Sequence, residues 1–254
     1  MKNHRLYALS RPVIFAHRGA AKYAPENTLA SFQKALDLGA VALELDITLT
    51  KDEEIVVIHD DSVDRTTNGK GPVERLNWSE MKGLDAGSWF SAEFAGESIP
   101  TLMDVLDLVK DKALLNIEIK NAHRRNGLLV ANAVKVIREA KSQANVIFSS
   151  FVPANIRLIS EGLPECPRAL LTQAGLIGKC EIELLRSLSP ELIHPHFSSL
   201  SAYFIQQEHA HQRRVHTYTI NNPEQMRTCM DWKVDGFFTD DLLMAQQVVS
   251  LNAY

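Results

Sequence analysis

Short apolar, β-branched runs recur along the chain at Val13–Ala16, Val41–Ile47, Ala113–Ile119, Val146–Ser149, Ala169–Thr172, Leu192–His194, Val215–Ile220 and Gly236–Thr239. Runs of this length and make-up predict eight strands. Segments with helical spacing lie between them, among them Thr28–Leu38, Thr101–Val109, Gly127–Ala140, Ile182–Leu188 and Pro223–Met230. Strands that alternate with helices form parallel βα units, and eight such units close into a (β/α)8 barrel of the TIM type. One connection is long. It begins with a ninth apolar run, Ile55–Ile58, which predicts the return arm of a hairpin extending strand two. The chain then continues from Asp60 to Pro100 through turn signals at Asn68-Gly69-Lys70-Gly71-Pro72 and Asp85-Ala86-Gly87. Residues 60–100 thus form a small insertion at the barrel mouth, within one barrel domain spanning 1–254.

Barrel enzymes carry their chemistry at the C-terminal ends of strands, so polar residues that close the apolar runs matter most. Strand one ends in His17-Arg18-Gly19. Glu44 and Asp46 lie two apart on strand two and share a face, as do Asn116, Glu118 and Lys120 on strand three. His59 closes the hairpin return. Seven ionisable side chains therefore converge on one mouth, in an architecture whose interior is normally aliphatic. Three crowded carboxylates repel one another unless a cation neutralises them, and an all-oxygen set suits Mg²⁺ or Ca²⁺ better than zinc. Arg18 and Lys120 remain as partners for an anion. The residues alone leave a second arrangement open, in which Glu44 and Asp46 form a salt-bridge layer with Arg18 and Lys120 and no metal.

Other features add little. His194-Pro195-His196 and His209-Ala210-His211 have metal-like spacing but no third ligand nearby in sequence, and are read as surface histidines. Trp78, Trp89, Phe90 and Phe94 are read as the small core of the insertion. Cys166, Cys180 and Cys229 are far apart and are read as inert core thiols. There is no GxGxxG or Walker spacing.

Composition narrows the partners. A formal net charge of −4 offers no general attraction for nucleic acid or an anionic membrane, so an anionic substrate must be held locally. No stretch approaches the roughly 18 uninterrupted apolar residues of a membrane helix. The apolar run Leu6 to Leu9 is too short for the core of a signal peptide, which makes the cytoplasm the expected compartment.

Several motifs in order make the chain resemble the glycerophosphodiester phosphodiesterase family, in its cytosolic bacterial form. They are His17-Arg18-Gly19, Pro25-Glu26-Asn27-Thr28, Glu44-Leu45-Asp46 with Thr50-Lys51-Asp52, His59-Asp60, Arg65-Thr66-Thr67-Asn68-Gly69, Leu84-Asp85-Ala86-Gly87-Ser88-Trp89-Phe90, Ile99-Pro100-Thr101-Leu102 and Glu118-Ile119-Lys120. The resemblance runs from His17 to Asp240. It implies a barrel with a small insertion, one Mg²⁺ or Ca²⁺ ion on Glu44, Asp46 and Glu118, and acid–base work by His17 and His59 on a small glycerophosphodiester. Either histidine could be the base, and either the glycerol 2-hydroxyl or water could attack. Two positions depart from the family. Glu53 stands where a turn glycine is usual, so the hairpin turn must change geometry or accept strain. Tyr218 stands where many members have Trp, which keeps an aromatic wall against substrate and leaves the preferred alcohol open. Two other readings of the same residues are a phospholipase-type enzyme on lipid or inositol diesters and a phosphodiester-binding module without catalysis. A glycoside hydrolase would leave Arg18, Lys120 and the histidines without work.

Overall fold

A computed structural model describes residues 4–120, 126–184, 186–188 and 191–251. Eight parallel strands form the ring: β1 (Val13–Ala16), β2 (Ala42–Leu49), β4 (Leu114–Ile119), β5 (Val146–Ser150), β6 (Arg168–Thr172), β7 (Leu192–Pro195), β8 (Arg214–Thr217) and β9 (Gly236–Thr239). β1 pairs with both β9 and β2, and this closes the barrel. Helices α1 (Leu29–Asp37), α3 (Leu102–Val109), α4 (Asn126–Glu139), α5 (Pro153–Gly162), α6 (Gly175–Leu184), α7 (Ala202–Ala210), α8 (Pro223–Asp231) and α9 (Leu242–Leu251) alternate with the strands. A one-turn helix, α2 (Trp78–Met81), lies in the insertion. No helix among the described residues is long and apolar enough to cross a membrane.

The strands read as unbroken apolar runs because they are covered twice, by helices outside and by one another inside. Val13, Phe15, Ala42, Leu114, Ile147, Ala169, Leu192 and Phe238 pack across the barrel interior, with Leu6 from the N-terminal segment added to the same cluster. One ring strand and one helix depart from the sequence pattern. β8 stops at Thr217 instead of Ile220, and the segment predicted as a helix at Ile182–Leu188 is the end of α6 followed by a 3-10 turn at Arg186–Leu188. His194 is corrected as well. It lies in β7, fully buried, with its ring 5.1 Å from that of Phe238 and its Nε2 3.2 Å from His216 Nδ1. Burial holds His194 near 3, far below an ordinary histidine, so both rings act as neutral core groups. Cys180 is exposed, whereas Cys166 and Cys229 are buried as expected.

β2 outlasts its neighbour β1, and the extra length builds the hairpin. Its last residues, Ile47 to Leu49, pair antiparallel with β3 (Ile55–Val57). The turn is closed by Thr50 N–H to Glu54 O at 3.0 Å and by the Thr50 hydroxyl on Asp52 at 2.7 Å. Glu53 adopts φ +72°, so the chain accepts strain where glycine would be free. The left-handed region costs an L-residue roughly 1–2 kcal/mol. Glu53→Gly is therefore expected to stabilise the protein by about 0.5–1 kcal/mol, after glycine's larger loss of chain freedom is subtracted. That corresponds to a rise in Tm of about 2 °C in a thermal melt. A lower Tm would show that the turn has no strain to relieve.

The insertion has its own apolar cluster of Val56, Ile58, Val63, Val73, Met81, Ala86 and Ile99, with Trp78 at its edge. The core is thus aliphatic. Trp89, Phe90 and Phe94 sit outside it, edge to face at 5.7 Å, and Trp89 is 41% exposed.

Candidate active site

The first site residues come from the turn after β1. His17 N–H donates to Thr239 O at 3.0 Å, which keeps the chain in register with β9 for one residue beyond the strand. Arg18 then turns to φ +54°, and its N–H donates to Glu44 Oε2 at 3.0 Å. The next residue must be glycine. Gly19 has φ +84°, and a Cβ there would lie 2.4 Å from Ser31 Oγ and 2.8 Å from the Ser31 carbonyl carbon. This close approach lets the His17-Arg18 pair fold back over the barrel mouth.

The carboxylates come from β2 and β4. Their parallel register places Glu44 beside Asn116 and Asp46 beside Glu118, so alternation carries all three acids to the interior side. Glu44, Asp46 and Glu118 each offer an oxygen within 4.8 Å of the others, and no other such group of three occurs among the described residues. Burial, then the charge of Asp46, pushes the Glu44 carboxyl up to about 8. Burial and Asp46 also raise Glu118. Burial works against the Asp46 carboxylate too, but Lys120, Arg18 and His59 outweigh it and hold Asp46 low.

The salt-bridge layer anticipated as an alternative is present in part. Lys120 Nζ lies 2.9 Å from Glu118 and 3.5 Å from Asp46, and Arg18 Nε lies 3.4 Å from Asp46. Two cations face three acids, however, and Arg18 also pairs with Glu26 at 2.8 Å. Asp46 Oδ1 is buried and accepts no hydrogen bond. Asn27, at φ +57°, donates to the other oxygen of Asp46 at 2.9 Å and so fixes the carboxylate plane. An oriented, under-neutralised set of oxygens fits a hard divalent cation.

The two histidines follow the two strands that pair along one edge of β2, β1 beside its first residues and β3 beside its last. His59 follows β3, carried to the mouth by Ile58 N–H donating to Asp46 O at 3.1 Å. Its Nδ1 lies 2.7 Å from Asp60, which Arg65 grips at 2.7 and 3.0 Å. Arg65 also spans to Glu26, with both contacts at 2.8 Å. An ionic chain thus runs from His59 through Asp60, Arg65 and Glu26 to Arg18. After β1, His17 places Nδ1 2.6 Å from Asp240 and Nε2 3.9 Å from Glu44. Burial disfavours the His17 cation, but Asp240 and Glu44 overcome it and leave His17 a stronger base than usual.

Beside His17, a cavity is lined by Glu44, Asn116, Glu118, Leu171, Tyr218 and Phe238. The Tyr218 hydroxyl donates to Thr172 O at 2.7 Å, so the ring faces the cavity while its polar end is engaged. Phe151 meets that ring edge to face at 5.9 Å. His196, His209 and His211 take no part in the carboxylate cluster. His209 pairs with Asp235 at 2.7 Å, and His211 bonds Gln207 O at 2.7 Å.

All eight residues singled out from the sequence lie at the C-terminal end of the barrel. Sequence reasoning gave no role to Glu26, Asn27, Asp60, Arg65, Asn221 or Asp240. The first four lie inside the motifs that carried the resemblance. Asp240 directly follows the last predicted strand and could have been found by the same strand-end rule as His17.

A closed parallel barrel whose mouth gathers three acids, two basic side chains and two carboxylate-held histidines belongs with the barrel hydrolases of phosphate esters. The chain matches the Glycerophosphoryl diester phosphodiesterase family over residues 17–244, and it belongs to that family. It is 38% identical to a glycerophosphodiester phosphodiesterase of Caldanaerobacter subterraneus over 91% of this chain and 95% of that one. Identity to one from Bacillus altitudinis is 34%, over 89% of this chain and 94% of that one. A phosphodiesterase of Oleispira antarctica, solved in complex with the product sn-glycerol 3-phosphate, shares the fold with a TM-score of 0.88. It is 29% identical, with 96% of this chain and 99% of that chain covered.

Proposed function

We propose that the chain hydrolyses glycerophosphodiesters to glycerol 3-phosphate and an alcohol, using one divalent cation and two histidines. The observation that carries this reading is the placement of His17 just after β1 and His59 just after β3, the two strands that pair along one edge of β2, each with Nδ1 held by a carboxylate and Nε2 left for chemistry. A pair of proton-transfer groups flanking an anion site is what exchange at a phosphate diester needs, and a binding module has no use for it.

Glu44, Asp46 and Glu118 would hold Mg²⁺ or Ca²⁺, which, when bound, draws charge from the phosphoryl oxygens. Arg18 and Lys120 hold the same anion from the side, already aimed by Glu26 and Glu118. His17 Nε2 takes the proton of the glycerol 2-hydroxyl, whose attack within the same molecule enjoys a high effective concentration. His59 Nε2 gives a proton to the departing alcohol, and a cyclic phosphate results. Water then opens the ring, with His59 accepting its proton and His17 returning one to the 2-oxygen. The ring of Tyr218 and the side chain of Leu171 wall the cavity against which the substrate's carbon skeleton lies.

The test compares glycerophosphocholine, its analogue lacking the 2-hydroxyl, and lysophosphatidylcholine, with products followed by phosphorus NMR. Glycerol 3-phosphate and choline are expected from the first substrate alone. Equal turnover of the analogue would replace the 2-hydroxyl with water as nucleophile. Preferential turnover of the lysolipid would replace the reading with a phospholipase-type one.

A further inference from the structure

We propose that Asp240, clamped by Asn221, is a positioning residue that fixes the His17 imidazole in the one tautomer and orientation able to take a proton from substrate. The inference rests on the acid–base role of His17 given above, and the residues are set by the barrel itself. Ala16 pairs with Thr239 across β1 and β9, and the His17 N–H to Thr239 O bond carries the register one step further. His17 and Asp240 are consequently neighbours at the strand tips, and Asp240 Oδ1 receives His17 Nδ1 at 2.6 Å.

The second carboxylate oxygen is not left loose. Asn221, in the turn after β8, donates from Nδ2 to Asp240 Oδ2 at 2.5 Å. Its own Oδ1 accepts the Asp240 N–H at 2.9 Å and the Thr239 hydroxyl at 3.1 Å. One side chain therefore grips both the carboxylate and the backbone that bears it. An ionised carboxylate can only accept, so Nδ1 carries a proton and, in the neutral ring, Nε2 is the bare nitrogen. The bare nitrogen lies 3.9 Å from Glu44 on the wall of the cavity.

When Nε2 takes the proton of the 2-hydroxyl, the imidazolium stands beside a fixed negative charge, and Asp240 itself takes no proton. The proton returns from Nε2 to the same oxygen when the cyclic ester opens, so none is lost over the cycle. His59 has the same Nδ1 arrangement with Asp60, but there the clamp is the Arg65 guanidinium, which cancels much of the carboxylate charge. A neutral clamp on one histidine and a cationic clamp on the other fit the base and acid roles.

The test is a double-mutant cycle on glycerophosphocholine with Asp240→Asn, His17→Ala and the combined variant. Asp240→Asn is expected to lower kcat by on the order of 10²-fold or more, with KM and the divalent-ion affinity changed less than about twofold. In the His17→Ala background the same substitution should change kcat by less than about twofold, because its effect passes through the ring. Asn221→Ala should show a smaller loss of about tenfold, again in kcat alone, and serves if Asp240→Asn does not fold. A full further loss in the His17→Ala background, or an unchanged kcat in Asp240→Asn or Asn221→Ala, overturns the inference. Full activity of His17→Ala would instead strike the role of His17 itself, and the two failures are thereby separated.

Discussion

His59→Ala is expected to lose about 10²–10⁴-fold in kcat on glycerophosphocholine while retaining most of its rate of p-nitrophenolate release from the p-nitrophenyl diester of glycerol 3-phosphate, which keeps the 2-hydroxyl. A choline alkoxide is a poor leaving group and needs a proton as the bond breaks, whereas p-nitrophenolate leaves without one. His17→Ala should be poor on both substrates, since neither escapes the need to generate a nucleophile. His59 is held through Asp60 and Arg65 at the end of the hairpin. Steady-state rates on the two substrates decide the matter. Equal losses at position 59 would leave His59 as a binding residue, and rescue at position 17 alone would reverse the two assignments.

The carboxylate trio leads to the second large effect. In the cation-free protein, burial and the charge of Asp46 push Glu44 up to about 8, well above its ordinary value of 4.5. The folded state then keeps a proton that the unfolded chain has released. That contribution to stability is complete below pH 4.5 and is lost as the pH rises through 8. A divalent cation replaces the proton, so its stabilising effect should grow over the same window. At an ion concentration about 100 times Kd, the gain is about 2.7 kcal/mol. This corresponds to a Tm rise of roughly 5–10 °C at pH 8, shrinking towards zero at pH 5. Glu44→Gln, Asp46→Asn and Glu118→Gln should each weaken the ion's effect on Tm and reduce activity by on the order of 10³-fold. An ion-induced shift that is the same at pH 5 and pH 8, or normal turnover in all three variants, would remove the metal from the account.

Much of this arrangement was legible in the sequence because barrels obey simple periodicities. The alternation of Glu44 with Asp46, and of Asn116 with Glu118 and Lys120, fixed which side chains share a face. The strand-end rule singled out His17 and Arg18. Even the hairpin strain at Glu53 could be anticipated from residue type, and its φ of +72° bears that out. What the sequence did not reveal depends on register and on contacts between distant segments. Nothing local pairs Asp46 with Glu118 across two strands, or brings Arg65 of the insertion onto Glu26 of the turn before α1. Asp240 lies 223 positions from His17 and meets it only because the barrel closes β9 against β1. His194 was misread for a related reason. A histidine between Ile193 and Pro195 looks like a surface residue until His216, from the adjacent strand, provides a neutral partner inside the barrel. The aromatic residues of the insertion were taken for its core, but aliphatic side chains from β3 and the loop already fill that space.

We propose above that this mouth cleaves glycerophosphodiesters with the help of a divalent ion. It is tested most directly by stripping the purified protein with a chelator and measuring release of glycerol 3-phosphate from glycerophosphocholine before and after Mg²⁺ or Ca²⁺ is restored. Little release is expected from the stripped protein and full release on addition of one of these ions, with Glu118→Gln failing to respond to either. Undiminished release from the stripped protein, or none under any condition, would contradict it.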